Sequence, residues 1–442
     1  MINATDGIAR ILKQEGVEWV STFPVCKVNN ALGREGIPMI MMRDDRYAVA
    51  VADAYSRITG GNPIGVCTAQ GGLNAAGLQV AYAGLAQAYE DNSPMLCITD
   101  GLGPGGTENS HFDVTTSLKT VAKWYGHIDK PERVPEFMRR AFTMLRTGRP
   151  GPVIIALPET GGQYDEDADP YHPVKGWRSG PDPSDVSDAI SALMEAERPL
   201  AYVGEGVIYA NAAEELKSFL ELANVPVVST LKAKGAFPEN HPLFVGVRGD
   251  HAVDYLTRAD LILAIGSSLS PGRFSHRIPE AVGKKIIHIN IDELDVNKVF
   301  PTSHVVLGDA KFSLPALQDE LASKTDGKVL ANESVAAEVA SAREEAMKPY
   351  REAMASDDTP INPYRVYSAL ADVLDPMDSF VTHESGNTRD QLSTVYDTLI
   401  PPGFLGWGNV SSLGFSMGAV VAAKLAHPDR PAVAVTGEAG LG

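Results

Sequence analysis

The sequence predicts an α/β protein of three doubly wound parallel-sheet domains, the last of them incomplete. Three observations carry that expectation. Short β-branched runs, apolar on both sides, alternate with Ala/Leu-rich helical segments throughout. Two polar stretches interrupt this alternation and divide it into blocks. The length, 442 residues, suits about three domains.

Taken in order, the chain opens on MINATDGIARILKQEG, an amphipathic, charged helix with no signal-peptide character. The strand-like runs of the first block are WVSTF, PIGVCTA, MLCITD and GPVIIALP. Gly161 to Asp185, rich in Pro, Gly and acid, then reads as a linker. PLAYVG, VPVVST, LILAIG and KIIHIN form a second block. Ser323 to Asp358 holds an Ala/Glu-rich helix without a strand and marks the second boundary. SFVTHE and PAVAVTG belong to a third block. The domains are therefore placed at 1–160, 186–322 and 359–442. The third has two clear strands where an open sheet usually has about five or six.

Composition narrows the function classes. A net charge of -18 argues against nucleic acid and anionic membrane as partners, because both select clustered positive charge. An anionic ligand must then be held by local donors and metal. Cys26, Cys67 and Cys97 lack metal-ligand spacing and read as small core residues, without zinc or a disulfide framework. No apolar run approaches the ~18 residues of a membrane span. The expectation is a cytoplasmic soluble protein.

Five segments carry candidate chemistry. In MMRDDRYAVAVADAYSRITG, Met41 to Gly60, the carboxylates Asp44 and Asp45 precede a helix. Either can cap it, or stand as a working acid where open α/β sheets place ligands. QGGLNAAG, from Gln70, follows a strand, and its glycines let backbone N–H groups approach a ligand or simply make a tight turn. HESGNTRDQL, His383 to Leu392, puts small and hydroxyl residues at a strand-to-helix junction suited to phosphate oxygens. GWGNVSSLGFSMG leads into an apolar helix, and the terminal TGEAG offers Glu438 as an oxygen ligand for a hard cation. No GxGxxG, GxxxxGK[ST] or GxSxG occurs, so dinucleotide, P-loop and α/β-hydrolase readings lack support.

Together these segments resemble the thiamine-diphosphate-dependent enzymes of the acetolactate synthase and 2-hydroxyacyl-CoA lyase type, nearly end to end. RDDRYAVAVADAYSRITG is similar to the segment that carries that family's catalytic glutamate. GRPGPVIIALP, ANVPVVSTLKAKGAFPENHPLFVG and LGFSMGAVVAAKLAHPDRPAVAVTGEAG resemble its later blocks. The resemblance implies pyrimidine-binding, central and diphosphate-binding domains in that order. It implies thiamine diphosphate and Mg2+ as cofactors, with FAD or ADP an open option in the central domain, where Arg273 and His276 are the candidates. It also implies a homodimer or homotetramer, with sites formed between the first domain of one subunit and the third of its partner.

Residue by residue, the resemblance gives Asp45 the place of the glutamate that hydrogen-bonds the aminopyrimidine N1′, one methylene shorter. Gln70, Gly71 and Gly72 take the loop over the thiazolium, with Leu73 where the family has a glycine. His111, beside Phe112 and Asp113, takes the place of a proton-transfer group facing the reacting carbonyl. Gly386, Asn387 and Thr388 are implied to contact diphosphate. Leu413 is implied to prop the cofactor into its bent shape, flanked by Ser412 and Gly414. Glu438, with Gly437, Ala439 and Gly440 around it, replaces the first metal-binding aspartate. The implied reaction is C–C bond breaking or making next to a carbonyl, on a 2-oxo acid or a 2-hydroxyacyl-CoA. This sequence lacks the second half of that family's metal motif. Three explanations stay open: a longer chain, a second polypeptide that completes the domain, or a non-catalytic subunit. A nucleotide-binding oxidoreductase is the rival from another class.

Overall fold

The computed structural model describes residues 1–72, 75–101, 114–158, 161–271, 277–331 and 334–441. The chain gathers into two compact units. One comprises Met1–Trp177, Val410–Asp429 and the residues from Thr436 on; the other comprises Arg178–Asn409 and Arg430–Val435.

The first unit contains β1 (Ile2–Asn3), β2 (Val20–Thr22), β3 (Met39–Met41), β4 (Val66–Ala69), β5 (Leu96–Asp100), β6 (Trp124–His127), β7 (Val153–Leu157) and β8 (Gln163–Tyr164). Six of these form a parallel sheet in the order β3-β2-β4-β5-β7-β6, while β1 and β8 pair as an antiparallel ribbon. Central strands β4 and β7 are buried along their whole length. Apolar residues on both faces are what a sheet covered by helices on each side requires.

Helix Asp45–Ile58 is the central support of this unit. Asp44 caps it, its side chain accepting the Tyr47 N–H at 3.0 Å. Every residue but Arg46 is buried, including the polar side chains Asp45, Asp53, Ser56 and Arg57. It packs on helices Ala76–Glu90 and Phe415–Ala426. Small residues set the spacing: a Cβ on Gly418 would lie 2.8 Å from that of Ala50 and 3.1 Å from the Val51 nitrogen. Arg57 forms a buried ion pair with Asp91 at 3.3 Å and lies over the Phe415 ring at 5.5 Å. The segment after β8 is docked on the same unit, because Glu15 accepts the Tyr171 hydroxyl and the Val174 N–H.

The second unit contains β9 (Pro199–Val203), β10 (Val227–Ser229), β11 (Phe244–Gly246), β12 (Leu261–Ile265), β13 (Lys285–Asn290), β14 (His304–Leu307), β15 (Phe380–His383), β16 (Phe404–Leu405) and β17 (Ala432–Val435). A six-stranded parallel sheet runs β11-β10-β9-β12-β13-β14, and a three-stranded parallel sheet runs β16-β15-β17. Lys234 fastens the loop after β10 to the segment before β16. Its ammonium donates to Glu239 at 2.6 Å and to the Tyr396 carbonyl at 2.9 Å, with both charged side chains 1% exposed. Glu239 also accepts the Thr398 N–H at 2.9 Å.

The α/β architecture with parallel sheets is as expected, and each of the ten strand-like runs contains a strand. The third sheet has three strands, one more than the two clear runs, because Phe404–Leu405 also pairs with β15. Among the described residues no helix is long and apolar enough to cross a membrane.

Candidate functional site

The two adjacent aspartates separate cleanly. Asp44 is the helix cap, so the structural reading accounts for it. Asp45, the first helical residue, is 4% exposed and directs Oδ1 at the Gln70 N–H, 3.3 Å away. Burial pushes its carboxyl above the usual carboxylate range, and the Gln70 N–H pulls in the opposite direction. Room for the carboxylate exists because residue 77 is glycine. A Cβ there would sit 2.6 Å from Asp45 Oδ1 and 2.7 Å from the Gln70 nitrogen. The Asp45–Gln70 contact thus joins the carboxyl ends of two parallel strands, where such sheets place ligands.

The rest of the Gln70 loop is anchored inward. The Gly72 N–H donates to the Asp100 carbonyl at 3.1 Å, and φ at Gly72 is +73°. A Cβ on Gly71 would approach the Asp100 carbonyl to 2.2 Å. Close packing therefore explains Gly71 without a ligand. Leu73, His111, Phe112 and Asp113 lie outside the described residues, as do Arg273 and His276.

Segment Ser412–Gly414 stands in the same unit, at the start of helix Phe415–Ala426. Gly414 has φ +92°, and a Cβ there would meet the Tyr47 hydroxyl at 2.6 Å. Ser412 is 5% exposed, and its hydroxyl has no hydrogen-bond partner among the described residues. Leu413 between them is 40% exposed, an apolar side chain presented to its surroundings. The structure thus gathers Asp45, Gln70, Ser412 and Gly414 around helix Asp45–Ile58 and its neighbours. Glu438 begins the short helix Glu438–Leu441, which packs on helix Phe415–Ala426; Glu438, Gly437 and Ala439 are exposed, and Gly440 is buried.

Gly386, Asn387 and Thr388 lie in the second unit, where helix Asn387–Val395 follows β15. Gly386 (φ +82°, ψ -140°) turns the chain, and no side chain caps the helix. Its first N–H groups are thus available to an anion. Thr388 is partly committed, its hydroxyl donating to the Glu384 carbonyl at 3.0 Å.

Sequence reasoning missed three side chains here. Tyr47 backs Gly414. Glu384 is 1% exposed at the end of β15, and its N–H donates to the Val435 carbonyl at 2.9 Å. Gln87 is buried within an Ala-rich helix and accepts the Ser412 N–H at 2.7 Å. An acidic residue directly after an apolar strand, and Gln87, one of two amides in an Ala-rich helix, were the available signals.

Residues 2–112 match the thiamine pyrophosphate enzyme N-terminal TPP binding domain, 186–317 the central domain, and 384–442 the C-terminal TPP binding domain. A probable acetolactate synthase large subunit of Methanocaldococcus jannaschii is 32% identical, over 100% of this chain and 76% of that protein. The acetolactate synthase large subunit of Corynebacterium glutamicum is 31% identical over 90% of this chain and 64% of its own length. The glyoxylate carboligase of Escherichia coli O157:H7 is 28% identical over 99% of this chain and 75% of its own length.

Proposed function

This chain belongs to the thiamine pyrophosphate enzyme family and is a thiamine-diphosphate-dependent carboligase-type enzyme of the acetolactate synthase type, in which, we propose, Asp45 is the acid–base carboxylate and small 2-oxo acids are the substrates. The observation that carries the role of Asp45 is its buried carboxyl, held against Gln70 and raised above its usual range. Such a group keeps a proton long enough to share it with a ring nitrogen. Thiamine diphosphate, when bound, would supply the electron sink that stabilises negative charge at the reacting carbonyl carbon.

Taken unit by unit, the residues present have the chemistry that this cofactor needs. Asp45 would hold the pyrimidine end through a hydrogen bond at N1′. The unpartnered Ser412 hydroxyl and exposed Leu413 would support the cofactor's middle. The glycine-entered start of helix Asn387–Val395 suits diphosphate oxygens. We assign Mg2+ to Glu438, an oxygen donor acting beside the diphosphate as is usual for this ion. We keep His111 as a proton-transfer group and Gln70, Gly71 and Gly72 as the loop over the thiazolium. We keep FAD or ADP as an option in the central domain, with Arg273 and His276 as the candidates. Flavin absorbance of the purified protein checks that assignment.

The 2-oxo acid reading rests on relatives named acetolactate synthase and glyoxylate carboligase. Their match along the whole chain favours an enzyme over a non-catalytic subunit. We propose a homodimer or homotetramer as the working form, with a further polypeptide joining it in the manner that the name "large subunit" suggests. The test is acetolactate formation from pyruvate, with glyoxylate as the alternative donor. Asp45→Asn should lower kcat/KM by about 10²–10⁴. Wild-type turnover in Asp45→Asn and Asp45→Ala would remove the role of Asp45.

A further inference from the structure

The backbone at Ser412 is held from an unexpected direction. Gln87 lies three residues before the end of helix Ala76–Glu90, the helix that follows the Gln70 loop. It is 1% exposed, and its Oε1 accepts the Ser412 N–H at 2.7 Å from 325 positions away in sequence. No other side chain among the described residues is recorded as accepting that N–H. Ser412 is the third residue before helix Phe415–Ala426, so its N–H precedes the helical hydrogen-bond ladder, and an outside acceptor must satisfy it if it is buried. Gly414, with φ +92° against Tyr47, fixes the other side of Leu413. Leu413 is therefore presented between two clamped residues, one held by Gln87 and one backed by Tyr47.

We propose that Gln87 is a positioning residue for the cofactor: through the Ser412 N–H it fixes where Leu413 and the buried Ser412 hydroxyl stand. This rests on the reading of Leu413 and Ser412 as cofactor supports. Loss of the acceptor leaves a buried N–H unsatisfied, and the segment relaxes to find another partner. Gln87 touches no reacting atom in this scheme. It acts on affinity for thiamine diphosphate more than on turnover once the site is full.

The test uses the full chain and thiamine diphosphate with Mg2+. Gln87→Met keeps the volume and removes the acceptor; Gln87→Glu keeps an acceptor in place. Two readouts are taken: the cofactor dissociation constant from thermal-shift or fluorescence titration, and amide hydrogen exchange of the 410–416 peptide without cofactor. We expect Gln87→Met to raise the dissociation constant about tenfold and to speed exchange in that peptide alone. Gln87→Glu should stay within about threefold of wild type. Unchanged cofactor affinity in Gln87→Met overturns the proposal, even if exchange is faster. Equal weakening in Gln87→Met and Gln87→Glu, with exchange faster across the whole unit, also overturns it, since that marks a folding defect. If the wild-type chain binds no thiamine diphosphate, both the proposal and the reading beneath it fall, whereas the first two outcomes leave that reading intact.

Discussion

At the scale of single residues, the acid is defined by what surrounds it. Asp45 is buried with a raised carboxyl pKa, so the folded state binds its proton more tightly than the unfolded chain does. The stability linked to this group is full below the ordinary carboxyl range. It is lost as pH rises through the raised value. At neutral pH the buried charge is therefore destabilising. Asp45→Asn should raise stability there by about 1 kcal/mol, and the gain should fade in denaturant titrations run toward pH 4. A gain that grows on acidification would contradict the assignment. Gly77 gives a second check on the same carboxylate. Gly77→Ala puts a Cβ 2.6 Å from Oδ1. It should lower kcat by at least about tenfold while destabilising by roughly 1–3 kcal/mol, read from kinetics and urea melts side by side.

At the scale of elements, small residues decide which helices meet. Gly418→Ala would bring two Cβ atoms to 2.8 Å and crowd the Val51 nitrogen. The expected destabilisation is about 1–3 kcal/mol, measured by denaturant midpoint. The Lys234–Glu239 pair behaves differently. Lys234→Met leaves the buried Glu239 carboxylate with the Thr398 N–H but without its cation, and should destabilise by about 3–5 kcal/mol. Adding Glu239→Leu should recover part of that loss. Elements also show where sequence was readable. Strands β4, β5, β7, β12 and β13 are buried along almost all of their length, so their composition is largely apolar and visible as runs. Strands β6 and β14 occupy sheet edges and are half-exposed, with mixed sequences such as WYGH. Edge positions relax the demand for apolar residues on both faces, which is why those strands were not visible. The site followed the same logic. Asp45 was marked by its neighbours in sequence, while Gln87 depends on a partner brought in only by the tertiary fold.

At the scale of the whole molecule, the charge of -18 sets a repulsive field for anionic substrates. For a 2-oxo acid, kcat/KM should rise as salt shortens the Debye length from about 30 Å at 0.01 M to about 8 Å at 0.15 M. A fall across that range would show that local cations outweigh the global field. The path of the chain has its own effect. It leaves the first unit after Trp177, returns for Val410–Asp429, departs for β17 and returns again at Thr436. Helix Phe415–Ala426, which buries Phe415, Ala419, Ala422 and Ala423, is thus a late segment built into an early unit. A protease that nicks the exposed Trp177 peptide should therefore yield two fragments that still co-elute, separating only in denaturant. The N-terminal fragment lacks helix Phe415–Ala426, which packs on helix Asp45–Ile58, and should be recovered folded only when the complementary piece is co-expressed.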